Sequence, residues 1–389
     1  MSLRRMSALV CAVILVALLM PFASGCWDSI DIEDRSFVAV AALEPAEGGE
    51  NKGVSVSILI PIPGGAQGGA NGGGRGNGQD NAEKSVVIKE NGLYIEDAVD
   101  KMRAKFGGVI DFSSLQFIAI GKDVDPEDMW KGLSTVLFFR YVPLTSLIFA
   151  TEDDMGELLR LSPASGKRLV EVLNGLEAQS KQGLGSVRFL SVWQVMSLIR
   201  NDVGDVVLPL IGLTDGGDGI EALGTAVYDG TRRAGTLGPT DSMLLYGIAW
   251  RKHLGGTYTM HYEGREFIVR IIRMKTKIRM TGVDANGLPR VGVKLSVAAR
   301  LLDSGGYRVS LVDRSRLNDL ERAAERDLED RLERILMKLK AWNSDAMRLY
   351  YALRLKTPYM SYDDFKGVYS KMEVDFAVSM SLRRAGLLK

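Results

Sequence analysis

The spacing of apolar and polar residues changes period several times along this chain of 389 residues, and each change marks a predicted element. Residues 54–60 first alternate and then turn continuously apolar, and 85–88 answer them, which predicts a pair of strands. Ile95, Ala98, Val99, Met102 and Phe106 recur at helical spacing and stop at Gly107-Gly108, a glycine terminus. Residues 115–120 and 142–149 are apolar runs suited to buried strands, with a helix predicted between them at 129–137. This strand–helix–strand–helix–strand order implies an α/β layer. Further helices are predicted at 169–176 and 192–199, with Phe189 and Trp193, four apart, anchoring a helix to the core.

Asn201-Asp202-Val203-Gly204 breaks the pattern, and a strand, a turn at Asp229-Gly230, a second strand and a helix at 242–249 come after it. Residues 267–280 then alternate as one long strand, with 291–301 returning across the turn at 282–287. Arg270, Arg273, Lys275, Lys277 and Arg279 fall among both alternating sets of that strand; they could meet anionic headgroups, but read more simply as a solvated sheet face. From Leu317 the residues Leu320, Ala324, Leu328, Leu332, Ile335, Leu339 and Trp342 fall in steps of three and four, which predicts one long amphipathic helix. Asn318 and Glu321 resemble its capping box, and alternation at 372–382 predicts a closing strand. The fold class expected is therefore α+β and multi-domain. It comprises an N-terminal α/β domain (26–203), a small strand-turn-strand-helix middle unit (204–255), and a C-terminal unit (256–389) with a mainly antiparallel sheet and a long packed helix.

Residues 64–78 are mostly glycine, a composition that cannot bury enough surface to offset ordering, so a flexible loop is expected there. It lacks the lysine and hydroxyl residue that a phosphate-binding loop requires.

The start of the chain has its own pattern. Arg4 and Arg5 precede an apolar stretch, 8–20, and then Ala23-Ser24-Gly25-Cys26. That stretch is too short for a spanning helix, which needs about 20 residues, and its small-residue end is that of a signal peptide. The expectation is a lipoprotein signal over 1–25, removed to leave Cys26 as the lipid attachment site and mature N-terminus. Two acyl chains would hold the protein to a membrane far more firmly than one. Cys11 and Cys26 are the only cysteines, so the mature chain has no internal disulfide.

Charge narrows the function classes. There are 49 basic and 48 acidic residues with a formal net charge of +1, so a nucleic-acid partner, which would call for a basic excess, is not expected. His253 and His261 stand near no nucleophile motif, and Asp153-Asp154 and Asp363-Asp364 read as helix-start charges. The Asp- and Gly-rich stretch 215–219 lacks the spacing of a calcium loop. No catalytic set, cofactor or metal is expected, and the chain is read as a non-enzyme.

Several fragments together resemble a known family: Gly25-Cys26-Trp27-Asp28, Asp31-Ile32-Glu33-Asp34, Asn91-Gly92, Phe117-Ile118-Ala119-Ile120-Gly121, Phe139-Arg140, Gly224-Thr225-Ala226-Val227-Tyr228, and Arg383-Arg384-Ala385-Gly386. In order and spacing they resemble the Ger(x)C family, the GerAC-like lipoprotein C subunits of nutrient germinant receptors of bacterial spores. Asp345-Ala346-Met347-Arg348 departs from the family pattern, in which glycines usually follow the aspartate, and Ala41 and Ala42 stand where glycine is common. The resemblance implies an accessory subunit on the outer face of the spore inner membrane, beside integral membrane A and B subunits, serving assembly, stability or signal transmission. Trp27 and Asp28 follow the lipid directly and, at no more than about 3.6 Å per residue, stay near the headgroups. They are the candidate partner or membrane-proximal surface. A solute-binding lipoprotein of a transporter is the alternative, although it should show two βα-alternating lobes around a hinge; a surface hydrolase lacks its nucleophile motif.

Overall fold

The computed structural model describes residues 32–46, 53–62, 85–124, 142–161, 167–201, 204–250, 255–303, 314–354 and 356–384, with isolated positions 14, 15, 132 and 134. The glycine-rich stretch 64–78 and the helix expected at 129–137 lie outside the described residues, apart from those isolated positions.

The strands in chain order are β1 (Arg35–Phe37), β2 (Val40–Pro45), β3 (Val54–Pro61), β4 (Ser85–Gly92), β5 (Val109–Asp111), β6 (Phe117–Ile120), β7 (Leu147–Ala150), β8 (Leu190–Ser191), β9 (Val207–Leu213), β10 (Ile220–Asp229), β11 (Arg232–Leu237), β12 (Gly256–Tyr262), β13 (Arg265–Val283), β14 (Pro289–Asp303) and β15 (Val374–Arg384). The helices are α1 (Ile95–Phe106), α2 (Met155–Arg160), α3 (Leu169–Lys181), α4 (Val192–Arg200), α5 (Pro239–Ala249), α6 (Arg314–Ala341), α7 (Leu349–Leu353) and α8 (Tyr362–Tyr369). The α+β class expected from the sequence is the class observed.

A nine-stranded sheet runs β11-β10-β9-β7-β6-β2-β3-β4, with β8 against β7. Its centre, β9-β7-β6-β2, is parallel, and its flanks are antiparallel. All four residues of β6 are buried, as expected for a central parallel strand covered on both faces. Ile118 and Ile120 face a core that includes Ala98 and Met102 of α1 and Val192 and Val195 of α4. Phe117 and Ala119 face the other side, with Leu158 of α2 and Leu173 of α3. Phe189 is buried there, its ring edge-on to Phe117 with centroids 6.1 Å apart. Trp193 does not join it. It is 63% exposed, because α4 turns that side outward and buries Val192, Val195 and Met196 instead.

Residues 204–255 contribute to both bodies: β9, β10 and β11 continue the large sheet, whereas α5 belongs to a second core. Residues 242–249 of α5 are buried without exception, which suits a helix that is apolar all round. That core lies between α5, α6 and the inner face of a four-stranded sheet ordered β12-β13-β14-β15. The pairs β12–β13 and β13–β14 are antiparallel, and β15 returns parallel to β14 after α6, α7 and α8.

Two features of this sheet differ from the expectation. First, β13 does not keep strict alternation. Its register shifts between Ile271 and Arg273, so Phe267, Val269 and Ile271 bury on the same side as Met274 and Thr276. A bulge inserts one extra residue and reverses the parity of the strand beyond it, and all five basic residues come to the exposed side. Second, α6 begins at Arg314, so Asn318 and Glu321 lie inside it and form no capping box. The glutamates of one helical side serve β15 instead. Glu321, Glu325 and Glu329 accept from the backbone N–H groups of Leu382, Met380 and Val378 at 2.7, 2.8 and 2.8 Å. Since β15 is an edge strand, these carboxylates satisfy donors that would otherwise stay unpaired.

Candidate functional site

Four charged residues distant in sequence converge where the two bodies meet. Asp205 precedes β9, Asp229 ends β10, Asp345 occupies the turn after α6, and Lys366 lies on α8. Asp205 Oδ2 accepts from Lys366 Nζ and from the Asp345 backbone N–H, both at 2.6 Å, and its Oδ1 accepts from the Gly230 N–H at 2.9 Å. Lys366 Nζ also donates to Asp229 Oδ1 at 2.8 Å and to the Asn343 carbonyl. The other Asp229 oxygen accepts from Arg232 at 2.9 Å. Beside them the Ser344 hydroxyl donates to the Tyr228 carbonyl at 2.7 Å. One ammonium thus ties the end of the large sheet to the helical segment of the second body, with the short contacts typical of charge-assisted bonds.

Asp345 is fully buried. Its Oδ1 accepts from the Leu349 N–H at 2.7 Å and its Oδ2 from the Tyr350 N–H at 3.0 Å, which caps α7. The turn it controls needs a left-handed residue at Arg348, with φ 59° and ψ 41°. Glycine adopts that conformation at least cost, so the departure from the glycine-bearing family pattern has a physical consequence here. The Arg348 guanidinium lies over Trp250 at 5.4 Å and over Tyr351 at 5.0 Å, attractions that offset part of the strain.

Burial is the main influence on the Asp345 carboxyl and pushes its pKa up to about 8. The two backbone N–H groups oppose the rise, the charge of Asp205 adds to it, and Lys366 opposes it. Burial likewise raises the phenols of Tyr362 and Tyr369, helped by the charges of Asp205 and Asp345. A carboxyl whose folded pKa exceeds its ordinary 3.8 stabilises the fold while protonated. That contribution is complete below the unfolded pKa and is lost as pH rises through the folded value. Unfolding free energy is therefore expected to fall as pH rises from about 4 to about 8 and to level off above that, and Asp345→Asn, which cannot ionise, to flatten the slope. Urea titrations across that range measure it; identical slopes in both proteins would exclude Asp345 as the titrating group.

The residues singled out from sequence fare differently. Cys26, Trp27, Asp28 and His253 lie outside the described residues. His261 is exposed on β12, its Nδ1 3.9 Å from Glu266. Asp154 caps α2 through the Glu157 N–H, and Asp364 forms a capping box with Ser361 on α8. Asp153 instead holds the end of β9, accepting from the Leu213 N–H at 2.6 Å. Asp205 and Lys366 gave no signal in the sequence, Asp229 gave only that of a turn, and Asp345 gave one only through the glycines missing after it. A polar cleft of about 500 Å³ also opens at the start of β6 and β7, and two polar pairs lie along it: Asn174 with Gln116 at 3.0 Å, and Glu177 with Lys181 at 2.5 Å. Among the described residues, no group of three or more His, Cys, Asp or Glu is arranged to hold a metal ion, and no helix is long and apolar enough to cross a membrane.

Two discontinuous segments, an α/β body and a sheet-plus-helix body riveted by a buried ionic junction, define the class, and comparison with known proteins agrees with it. Residues 28–213 match the model of the spore germination protein N-terminal domain, and residues 223–386 match the spore germination B3/GerAC-like C-terminal model. The chain belongs to the GerAC-like family of spore germination proteins, as the sequence resemblance implied, and that membership assigns it to spore germination. The crystal structure of the GerBC protein is similar in fold, with a TM-score of 0.50 at 14% identity over 88% of this chain and 97% of that one. Among curated proteins, none matches the chain significantly.

Proposed function

We propose that the chain is the lipid-anchored C subunit of a nutrient germinant receptor, held at the outer face of the spore inner membrane through Cys26. In this reading it has no catalytic role and acts in assembly or signal transmission with two integral membrane subunits. The observation that carries the proposal is the pair of family matches, which together run from residue 28 to residue 386. The first match begins two residues after Cys26, as it would if the mature protein started at the acylated thiol. Trp27 and Asp28 are the residues nearest the lipid and the candidate contacts with membrane or partner.

The test is to purify a C-terminally tagged chain from detergent extracts of spore membranes and identify both its N-terminal peptide and its companions by mass spectrometry. A diacylglyceryl-modified Cys26 and two co-purifying integral membrane proteins are expected. An unmodified Cys26 on a chain that purifies alone would overturn the reading.

A further inference from the structure

The exposed face of the four-stranded sheet gathers cations that the overall charge balance conceals. Arg270 pairs with Arg300, and Arg300 with Arg383, so three arginines leave adjacent strands side by side. Lys277 stands opposite Lys294 in the same way, and Arg273, Lys275 and Arg279 complete the exposed side of β13. All eight are exposed, and none is ion-paired with a described residue. Like charges directly opposite one another weaken a sheet, so these rows are a liability unless something anionic covers them. Glu321, Glu325 and Glu329 of α6 do not do so, because they are bonded to the β15 backbone.

The surface between the rows is low. Ser296, Ala298, Ser379 and Ser381 line a shallow groove of about 280 Å³ beside Arg273 and Lys275. Next to the arginine row, on the same side, Ile268, Ile272 and Leu302 are 37%, 37% and 41% exposed.

We propose that this face docks on an anionic lipid bilayer, with the arginine and lysine rows on the phosphates and the three aliphatic side chains entering the headgroup layer. Three observations favour a bilayer over an acidic protein segment. The face is broad, and the groove between its described residues is open rather than enclosed. Its long cationic side chains flank exposed aliphatic ones, the arrangement in which apolar stems sink while charged heads stay at the interface. The adjacent edge of β15 is closed to an added peptide strand, since its outward donors are occupied. The inference stands independently of acylation at Cys26.

The test uses the unacylated chain beginning at Trp27. No residue before Val38 belongs to any of the three cores, so this chain retains every core contact. Co-sedimentation is measured with phosphatidylcholine vesicles containing about one-third phosphatidylglycerol and with phosphatidylcholine alone. Binding is expected to the anionic vesicles only, to weaken with added salt, and to weaken at least about tenfold in Arg270→Gln/Arg300→Gln/Arg383→Gln. Lys275→Gln/Lys277→Gln gives a second reading should the triple variant fail to fold. Equal binding to both vesicle types, or unchanged binding of the folded variants, would overturn the proposal. Binding of polyglutamate in the absence of any vesicle binding would overturn it in favour of an acidic protein partner. Because this chain lacks Cys26, none of these failures bears on the lipid anchor or on the receptor role.

Discussion

Lys366→Met is expected to lower the unfolding free energy by about 3–5 kcal/mol, the usual effect of removing one partner from a buried ion pair. The Lys366 side chain is 12% exposed and that of Asp205 2%, so water cannot replace the lost ammonium at Asp205. The variant leaves the Asp205 and Asp229 carboxylates without the cation that joins them. Adding Asp205→Asn to Lys366→Met is expected to recover part of the loss, because the damage comes from the abandoned charge. Urea denaturation of the two single variants and the double variant completes the cycle. A cost below about 1 kcal/mol for Lys366→Met would show that the junction behaves like a surface pair.

Gly224→Ala is expected to cost about 3 kcal/mol or more. Gly224 sits where the register of β10 against β9 shifts, and its φ of +140° is a conformation that side chains rarely adopt. A Cβ there would lie 2.0 Å from the Leu237 carbonyl oxygen, on the neighbouring backbone of β11. Strain and overlap act together, and the overlap cannot be relieved by rotating a side chain. Gly230→Ala is the comparison. It too has positive φ, at +61°, but nothing lies within 4 Å of its added Cβ, so only about 1–2 kcal/mol is expected. Thermal melts of both variants decide the matter, and equal losses would refute the steric argument. The glycine that opens the motif Gly224-Thr225-Ala226-Val227-Tyr228 is thus a packing requirement.

Much of the fold was legible from local periodicity. Leu320, Ala324, Leu328, Leu332, Ile335 and Leu339 are all buried on α6, and strands 54–60 and 85–88 pair as their alternation implied. These succeed because burial of one face imposes a period that any window along the chain records. The misses have another origin. The shift at Ile271 and Arg273 changes parity within a single strand, and nothing in the side chains marks where the extra residue is absorbed. Trp193 looked like a core anchor because it stands four residues from Phe189, whereas α4 had enough smaller apolar residues to fill that side. The junction was invisible because Asp205 and Lys366 are 161 positions apart, and a charge in sequence carries no record of the partner that folding brings to it. Asp345 was the exception: the residues after it departed from the family pattern at the turn where Arg348 takes up the left-handed backbone.

The carboxylates along β15 also act as a vernier. Four residues of helix advance about 6.0 Å, and two residues of strand advance about 6.6 Å. Glu321, Glu325 and Glu329 meet Leu382, Met380 and Val378 in turn, and each rung falls about 0.6 Å further out of step with its donor. Three rungs stay within bonding distance, but the scale could not run much longer. Sliding α6 along β15 by one residue would break every rung at once, so the helix has a single axial setting. A displacement of β15 along its own axis would therefore carry α6 with it and reach the turn that holds Asp345.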